Sequence, residues 1–186
     1  GNSTIGGKMW AKVESDEVTE LYPKPKSLTI GDTNYPRNIF ELWTNAELKA
    51  INIYPIEIDN SNRKDPKYYK NTNITYTVMA TKVKGTYGTA TAEDLANLKT
   101  QRKETINGRA NALLQKYDWY TLRAADGGTA VPSSVTTYKA AVRTKSNTMC
   151  TAINNAADVD ALAALYVYNS DDPPVRPLGE FPSEPS

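Results

Sequence analysis

The sequence has no histidine and a single cysteine, Cys150. No Ser-His-Asp or Cys-His arrangement can therefore exist within one chain. The common Cys/His zinc sites are excluded for the same reason. Cys150 cannot form an intrachain disulfide, and the helical setting TMCTAI suits a small buried apolar side chain better than a reactive thiol. An excess of one charge is lacking too: 22 Lys and Arg against 21 Asp and Glu leave +1. Polyanion binding draws its strength from many clustered cations, so no nucleic-acid partner is expected. No apolar run approaches the length that crosses a bilayer, and no charged-then-apolar leader pattern occurs, so no membrane partner is expected. Gly85 and Gly88 bracket a loop, but no GKS, GKT or GxGxxG goes with them, so no cofactor is expected.

What the sequence does have is tyrosine: 12 Tyr and 3 Trp stand against 2 Phe. Both residue types tolerate half-wet positions, which suits protein interfaces and ordinary strands alike. At 186 residues the chain can make one domain or two small ones. Residues 1–8, GNSTIGGK, precede Met9 and read as an expression scar or an upstream linker. Residues 9–59 read as a small α+β module. Strands at 9–14 and 18–22 flank Ser15-Asp16-Glu17 as a hairpin. A third strand covers 27–30, and 31–34 make a turn. Ile39, Leu42 and Trp43 fall at helical spacing. Thr44-Asn45-Ala46-Glu47 fits a capping box, which predicts one short helix before Thr44 and another over 46–50. Residues 51–59, INIYPIEID, alternate as a strand that Pro55 demotes to an edge or a bulge. Residues 60–90 read as a polar loop and a second hairpin, 73–79 with 82–87, joined by Ala80-Thr81 without the usual Gly or Asn. Tyr68, Tyr69, Tyr76 and Tyr87 would form an aromatic face, suited to a sugar ring or to cross-strand packing.

Residues 91–169 read as a helical domain. Thr91-Ala92-Glu93-Asp94 supplies an N-cap and acidic residues at the positive end of a long helix. Leu95, Leu98, Ile106, Ala110, Leu113 and Tyr117 make one stripe, interrupted by Arg102 and bordered by Arg109. Gly108 lies mid-helix, where it either admits a close neighbour or serves nothing. The helix ends at an aromatic knot, Tyr117-Asp118-Trp119-Tyr120, and Asp126-Gly127-Gly128 makes the loop. A second helix begins at Ser133-Ser134, with Val135, Tyr138, Val142, Met149 and Ile153 on one face. Asp158 caps a third short helix that turns Val159, Leu162 and Tyr166 inward. Residues 170–186 are Pro-rich and extended, either free or laid against a partner as a strap. The fold class is α+β: a β-rich N-terminal part with short helices, then a helical hairpin, a third helix and the extended tail.

The stretch 99–143 carries Arg102, Arg109, Leu113-Leu114, Asp118-Trp119 and Tyr138-Lys139-Ala140-Ala141-Val142-Arg143 in that order. It resembles the tail assembly chaperones of tailed phages, related to tail-fibre assembly proteins, which carry an arginine-rich helix, LL, a short gap, DW, a loop and YRxxLR. Lys139 stands where Arg is usual and Val142 where Leu is usual. The resemblance covers about a quarter of the chain. The run Tyr35-Pro36, Ile39-Phe40, Leu42-Trp43, Glu47-Leu48 also looks like short N-terminal modules of phage tail proteins.

The resemblance implies a non-catalytic protein that binds other phage tail or fibre proteins, as an assembly chaperone or a fibre-associated subunit. Its place would be the virion tail or, during assembly, the infected-host cytoplasm. Rotational symmetry among fibre components implies a homo-oligomer. The candidate partner-binding residues are Arg102, Arg109, Tyr117, Asp118, Trp119, Tyr120, Tyr138 and Arg143. Trp119 has two readings. In one it is buried between the long helices, with Asp118 bonded to backbone N–H groups; in the other it is an interface anchor. The basic residues alternate with Glu104, Asp118 and Asp126, which predicts pairing within the hairpin or contact with an acidic partner. Two other function classes stay open. The tyrosines would suit a carbohydrate-binding module for a host surface. Two carboxylates would suffice for a small glycan-acting enzyme, though no pair stands out.

Overall fold

The computed structural model describes residues 7–186. The scar-or-linker reading of residues 1–8 therefore falls almost wholly outside the described residues. The chain divides into two units, Gly1–Thr91 and Ala92–Ser186, and an α+β class fits its β-rich first half and helical second half.

In the first unit, Ser15 and Asp16 both take positive φ, 50° and 61°. That backbone twist matches the strands it joins, here β1 (Met9–Glu14) and β2 (Glu17–Tyr22). The turn is one residue shorter than expected, because Glu17 opens the strand. Gly31, at φ 60°, turns β3 (Leu28–Ile30) into β4 (Thr33–Tyr35). Thr33 and Asn34, expected in the turn, are strand instead, and Thr29 Oγ1 donates to Asn34 Oδ1 across the pair at 2.8 Å. Two short helices follow, α1 (Ile39–Leu42) and α2 (Asn45–Ala50). The Thr44 hydroxyl caps α2, accepting the Glu47 N–H at 3.2 Å and donating to the Glu47 carboxylate at 3.1 Å.

The main sheet has the order β2-β1-β5-β8-β7, with β5 (Ile53–Asp59), β7 (Ile74–Val78) and β8 (Val83–Tyr87). Two-residue strands β6 (Tyr69–Lys70) and β9 (Thr91–Ala92) lie outside it. β5 and β8 are parallel and the other neighbours antiparallel. β5 is thus central, which corrects the expectation of an edge strand. Pro55 lies opposite Trp10 of β1, but the β8 ladder starts only at Ile56, so the proline meets a paired strand on one side alone. The pairing of Ile56 with Val83 also overturns the division at residue 60. Residues 60–90 complete the sheet that residues 9–59 begin.

One face of this sheet holds a core of Trp10, Tyr22, Leu28, Ile39, Phe40, Leu48 and Ile53. The Phe40 ring lies 4.8 Å from Trp10 and 5.8 Å from Tyr22, centroid to centroid. The other core packs Ala11, Val13 and Val83 with Tyr76 and Val78. A side chain at Gly85 would meet Ile58 Cδ1 at 2.8 Å and Ile74 Cγ2 at 2.9 Å, so it would have to displace both isoleucines. Of the four tyrosines, Tyr76 and Tyr87 share one face of the β7–β8 pair. Tyr68 is buried, Tyr69 lies under the Lys64 ammonium at 4.5 Å, and Tyr76 packs into the second core.

In the second unit, α3 (Leu95–Gln115) starts later than expected. Asp94, not Thr91, caps it, accepting the Asn97 N–H at 3.1 Å. Its stripe buries Leu98, Ile106, Ala110 and Leu113. α3 packs against α5 (Ser133–Asn155), which buries all five expected residues and Ser146. Ser146 is tolerated there because its hydroxyl donates to Asn107 Oδ1 at 3.2 Å. α6 (Val159–Ala164) is capped by Asp158, which accepts the Ala161 N–H at 2.7 Å. Between α3 and α5 stands a helix the sequence reading lacked, α4 (Asp118–Ala125).

Gly108 has open space where a Cβ would go. It admits no neighbour, and only its backbone freedom counts. Gly108→Ala is expected to stabilise the helical unit by about 0.5–1 kcal/mol. Calorimetry of the variant checks this; a lowered midpoint would mean that something does approach the glycine.

Candidate functional site

The candidate residues converge on α4. Asp118 sits in its first turn, where a carboxylate complements the free N–H groups, and Ala124 and Ala125 favour helix at its end. Gly127, at φ 81°, stops it: the Gly127 N–H reaches Ala124 O at 3.1 Å and the Gly128 N–H reaches Arg123 O at 2.9 Å. These are the two bonds of a Schellman terminus. The aromatic knot is thus the start of a helix rather than the end of one.

Four rings form a chain from solvent to core. Trp119 stacks on Tyr120 with centroids 3.7 Å apart. Tyr120 lies 6.2 Å from Tyr117, and Tyr117 meets Tyr138 edge-on at 5.3 Å. Tyr138 is buried on α5. Trp119, at the other end, is 50% exposed and Leu122 is 66% exposed. The expectation of a buried Trp119 is therefore wrong, and the interface-anchor reading survives. Asp118 also departs from expectation. Its Oδ1 meets Lys139 Nζ at 3.4 Å instead of backbone N–H groups.

The arginines do not act together. Arg102 lies over Tyr166 at 4.9 Å. It precedes Tyr117 by fifteen residues, roughly 22 Å along a helix. Arg109 is exposed, and Arg143 borders a groove with Asn107, Asn111 and Ser146. Neither holds an ion pair among the described residues, whereas Lys139 pairs with Asp118. Arg123, absent from the expected set, stacks on Trp119 at 5.0 Å and Tyr120 at 5.3 Å.

The Pro-rich tail is not free: it packs on its own helical unit. Leu178 is buried, and its N–H donates to Leu165 O at 2.9 Å. Phe181 packs on Ala110, Leu113, Tyr138 and Val142. Glu184 Oε1 accepts from Lys116 Nζ at 3.0 Å and from the Tyr117 hydroxyl at 3.4 Å. The Lys116 bond holds the Glu184 carboxyl below its ordinary range, and burial pushes the Tyr138 phenol up. The site residues missed by the sequence reading are Leu122, Arg123, Phe181 and Glu184. The first two carried a signal: Trp119, Leu122 and Arg123 stand at helical spacing once 118–125 is read as helix.

In the first unit, a gap of about 640 Å³ opens between β2 and β7, lined by Val18, Leu21, Tyr76 and Val78 with Glu17 and Glu20 at hand. Among the described residues, no group of three or more Cys, Asp or Glu side chains could hold a metal ion. No described helix is long and apolar enough to cross a membrane. No protein-family model, no curated protein and no solved structure matches the chain.

Proposed function

We propose that this chain is a non-catalytic protein of a tailed phage that binds other tail or fibre proteins through its helical unit, as a structural or assembly subunit. The observation that carries the reading is the exposed Trp119–Leu122 pair on α4. It lies inside the stretch 99–143 whose wording resembles tail assembly chaperones. Trp and Arg dominate the energetics of protein interfaces. Here Tyr120 and Arg123 already hold the indole in place, so little freedom is lost on binding. A second exposed apolar group, Val167, Tyr168 and Val175, gives the unit a further surface for another neighbour. A sugar platform is less well served, because Tyr120 covers one indole face at 3.7 Å.

Mass spectrometry of purified virions tests the reading. Stoichiometric presence makes the chain a structural subunit. Absence from virions, with recovery on a tail protein from infected cells, makes it an assembly factor. Neither result, or product release from a host polysaccharide, overturns the proposal. Trp119→Ala is expected to melt within about 0.5 kcal/mol of wild type, as surface substitutions do. It should weaken capture of the tail protein by about tenfold or more, the loss of a hot spot.

A further inference from the structure

α4 carries its own complement. Asp118, Trp119, Leu122 and Arg123 lie along one side of the helix, by their spacing. The acid stands at the N-terminal end, the guanidinium near the C-terminal end, and the exposed apolar pair between them. Arg123 Nε is buried and finds no acceptor among the described residues. Stacking on Trp119 and Tyr120 holds the Arg123 guanidinium in place and fixes the cation at this end of the helix. The Asp118 side chain is 58% exposed, which leaves it open to a second contact beside Lys139.

We propose that the exposed side of α4 is the contact between two copies of this chain, packed antiparallel about a two-fold axis midway between Trp119 and Leu122. In that register Trp119 lies against the partner's Leu122, and Leu122 against the partner's Trp119. The same register sets Asp118 against the partner's Arg123, and Arg123 against the partner's Asp118. Each contact occurs twice, as an isologous interface requires. Opposed helix dipoles add to the match. A parallel arrangement would bring like charges together at both ends. One eight-residue helix per copy gives an interface at or below the small class of about 1,200 Å², so the association is weak, micromolar or looser. The inference rests on the proposed function only in treating α4 as a protein contact; the dimer covers the face a tail protein would take, so the two contacts compete and a tail protein draws on the monomer.

The test is a charge swap read by sedimentation velocity from low to high micromolar concentration. Wild type is expected to pass from monomer to dimer. Asp118→Arg carries two cations on α4 and Arg123→Asp carries two acids. Each alone should lose self-association by more than about tenfold, since like charges meet at both ends of the interface. An equimolar mixture of the two variants should dimerise again, because every contact then pairs opposite signs. Leu122→Asn, at a freely exposed position, gives a readout independent of charge and should weaken the dimer with an unchanged melt. Monomeric wild type overturns the inference, as do single variants that dimerise normally or a mixture that stays monomeric. A monomer whose α4 still binds a tail protein would overturn only this inference. A dimer that binds no tail protein would overturn only the proposed function.

Discussion

Phe40→Ala is expected to destabilise the N-terminal unit by about 3–5 kcal/mol. Phe40 is 5% exposed and its ring bridges Trp10 on β1 and Tyr22 on β2. It sits on α1, a single turn of four residues with no side-chain cap. A helix that short has no stability of its own, so its packing must hold it. Removing the ring leaves a cavity and frees α1 at once. Against a typical total of about 5–15 kcal/mol, the variant unit would be close to unfolding. Equilibrium denaturation followed by the fluorescence of Trp10 and Trp43, both at this core, measures the loss. Leu42→Ala is the control. It lies on the same turn but is 74% exposed, and should shift stability by no more than about 0.5 kcal/mol. Equal effects from the two substitutions would mean that α1 does not pack through Phe40.

Leu178→Ala has the next largest expected effect, about 2–5 kcal/mol on the helical unit. Leu178 is 3% exposed, and its backbone is bonded to Leu165. It is the anchor from which the tail reaches Phe181 and Glu184. Losing it should release the residues after it as well, visible as faster hydrogen exchange at Leu178 and a freed Phe181. The ion pair at the tail's end is a weaker tether. The Lys116 and Glu184 side chains are 56% and 43% exposed, and solvent and salt screen such pairs. Glu184→Gln should therefore leave the tail seated. Because the Glu184 pKa is lowered in the folded chain, its small contribution is present above the ordinary carboxylate range and is lost as pH falls below that range through the lowered folded value. Slow exchange retained at Leu178 in the Leu178→Ala variant would sink this account.

Much of the helical unit was legible before its structure. The five apolar residues assigned to α5 are all buried, and Asp158 caps α6 as expected. Those signals are local: a 3.6-residue period and a capping side chain within one turn. The helix α4 gives no clear stripe in the sequence, because its eight residues include only two aromatics and no wholly buried member. With α4 unread, the sequence leaves Trp119 open between burial among the long helices and an interface anchor. Its neighbours Leu122 and Arg123 then went unnoticed.

By itself the sequence determined the chemistry that is out of reach, since no fold can supply a histidine or a second cysteine. It also determined most element positions, because turns, caps and periods act over a few residues. Only the tertiary structure decided which segments meet. Ile56 pairs with Val83 across the loop and hairpin, and that pairing alone makes the proline-bearing β5 central. Lys116 meets Glu184 across 68 residues, and that contact together with Leu178 seats a tail that composition reads as loose. The exposure of Trp119 was decided in the same way. A tryptophan's own preference for burial yields to what its neighbours leave uncovered, and here Tyr120 and Arg123 claim its ring while half of the side chain stays exposed.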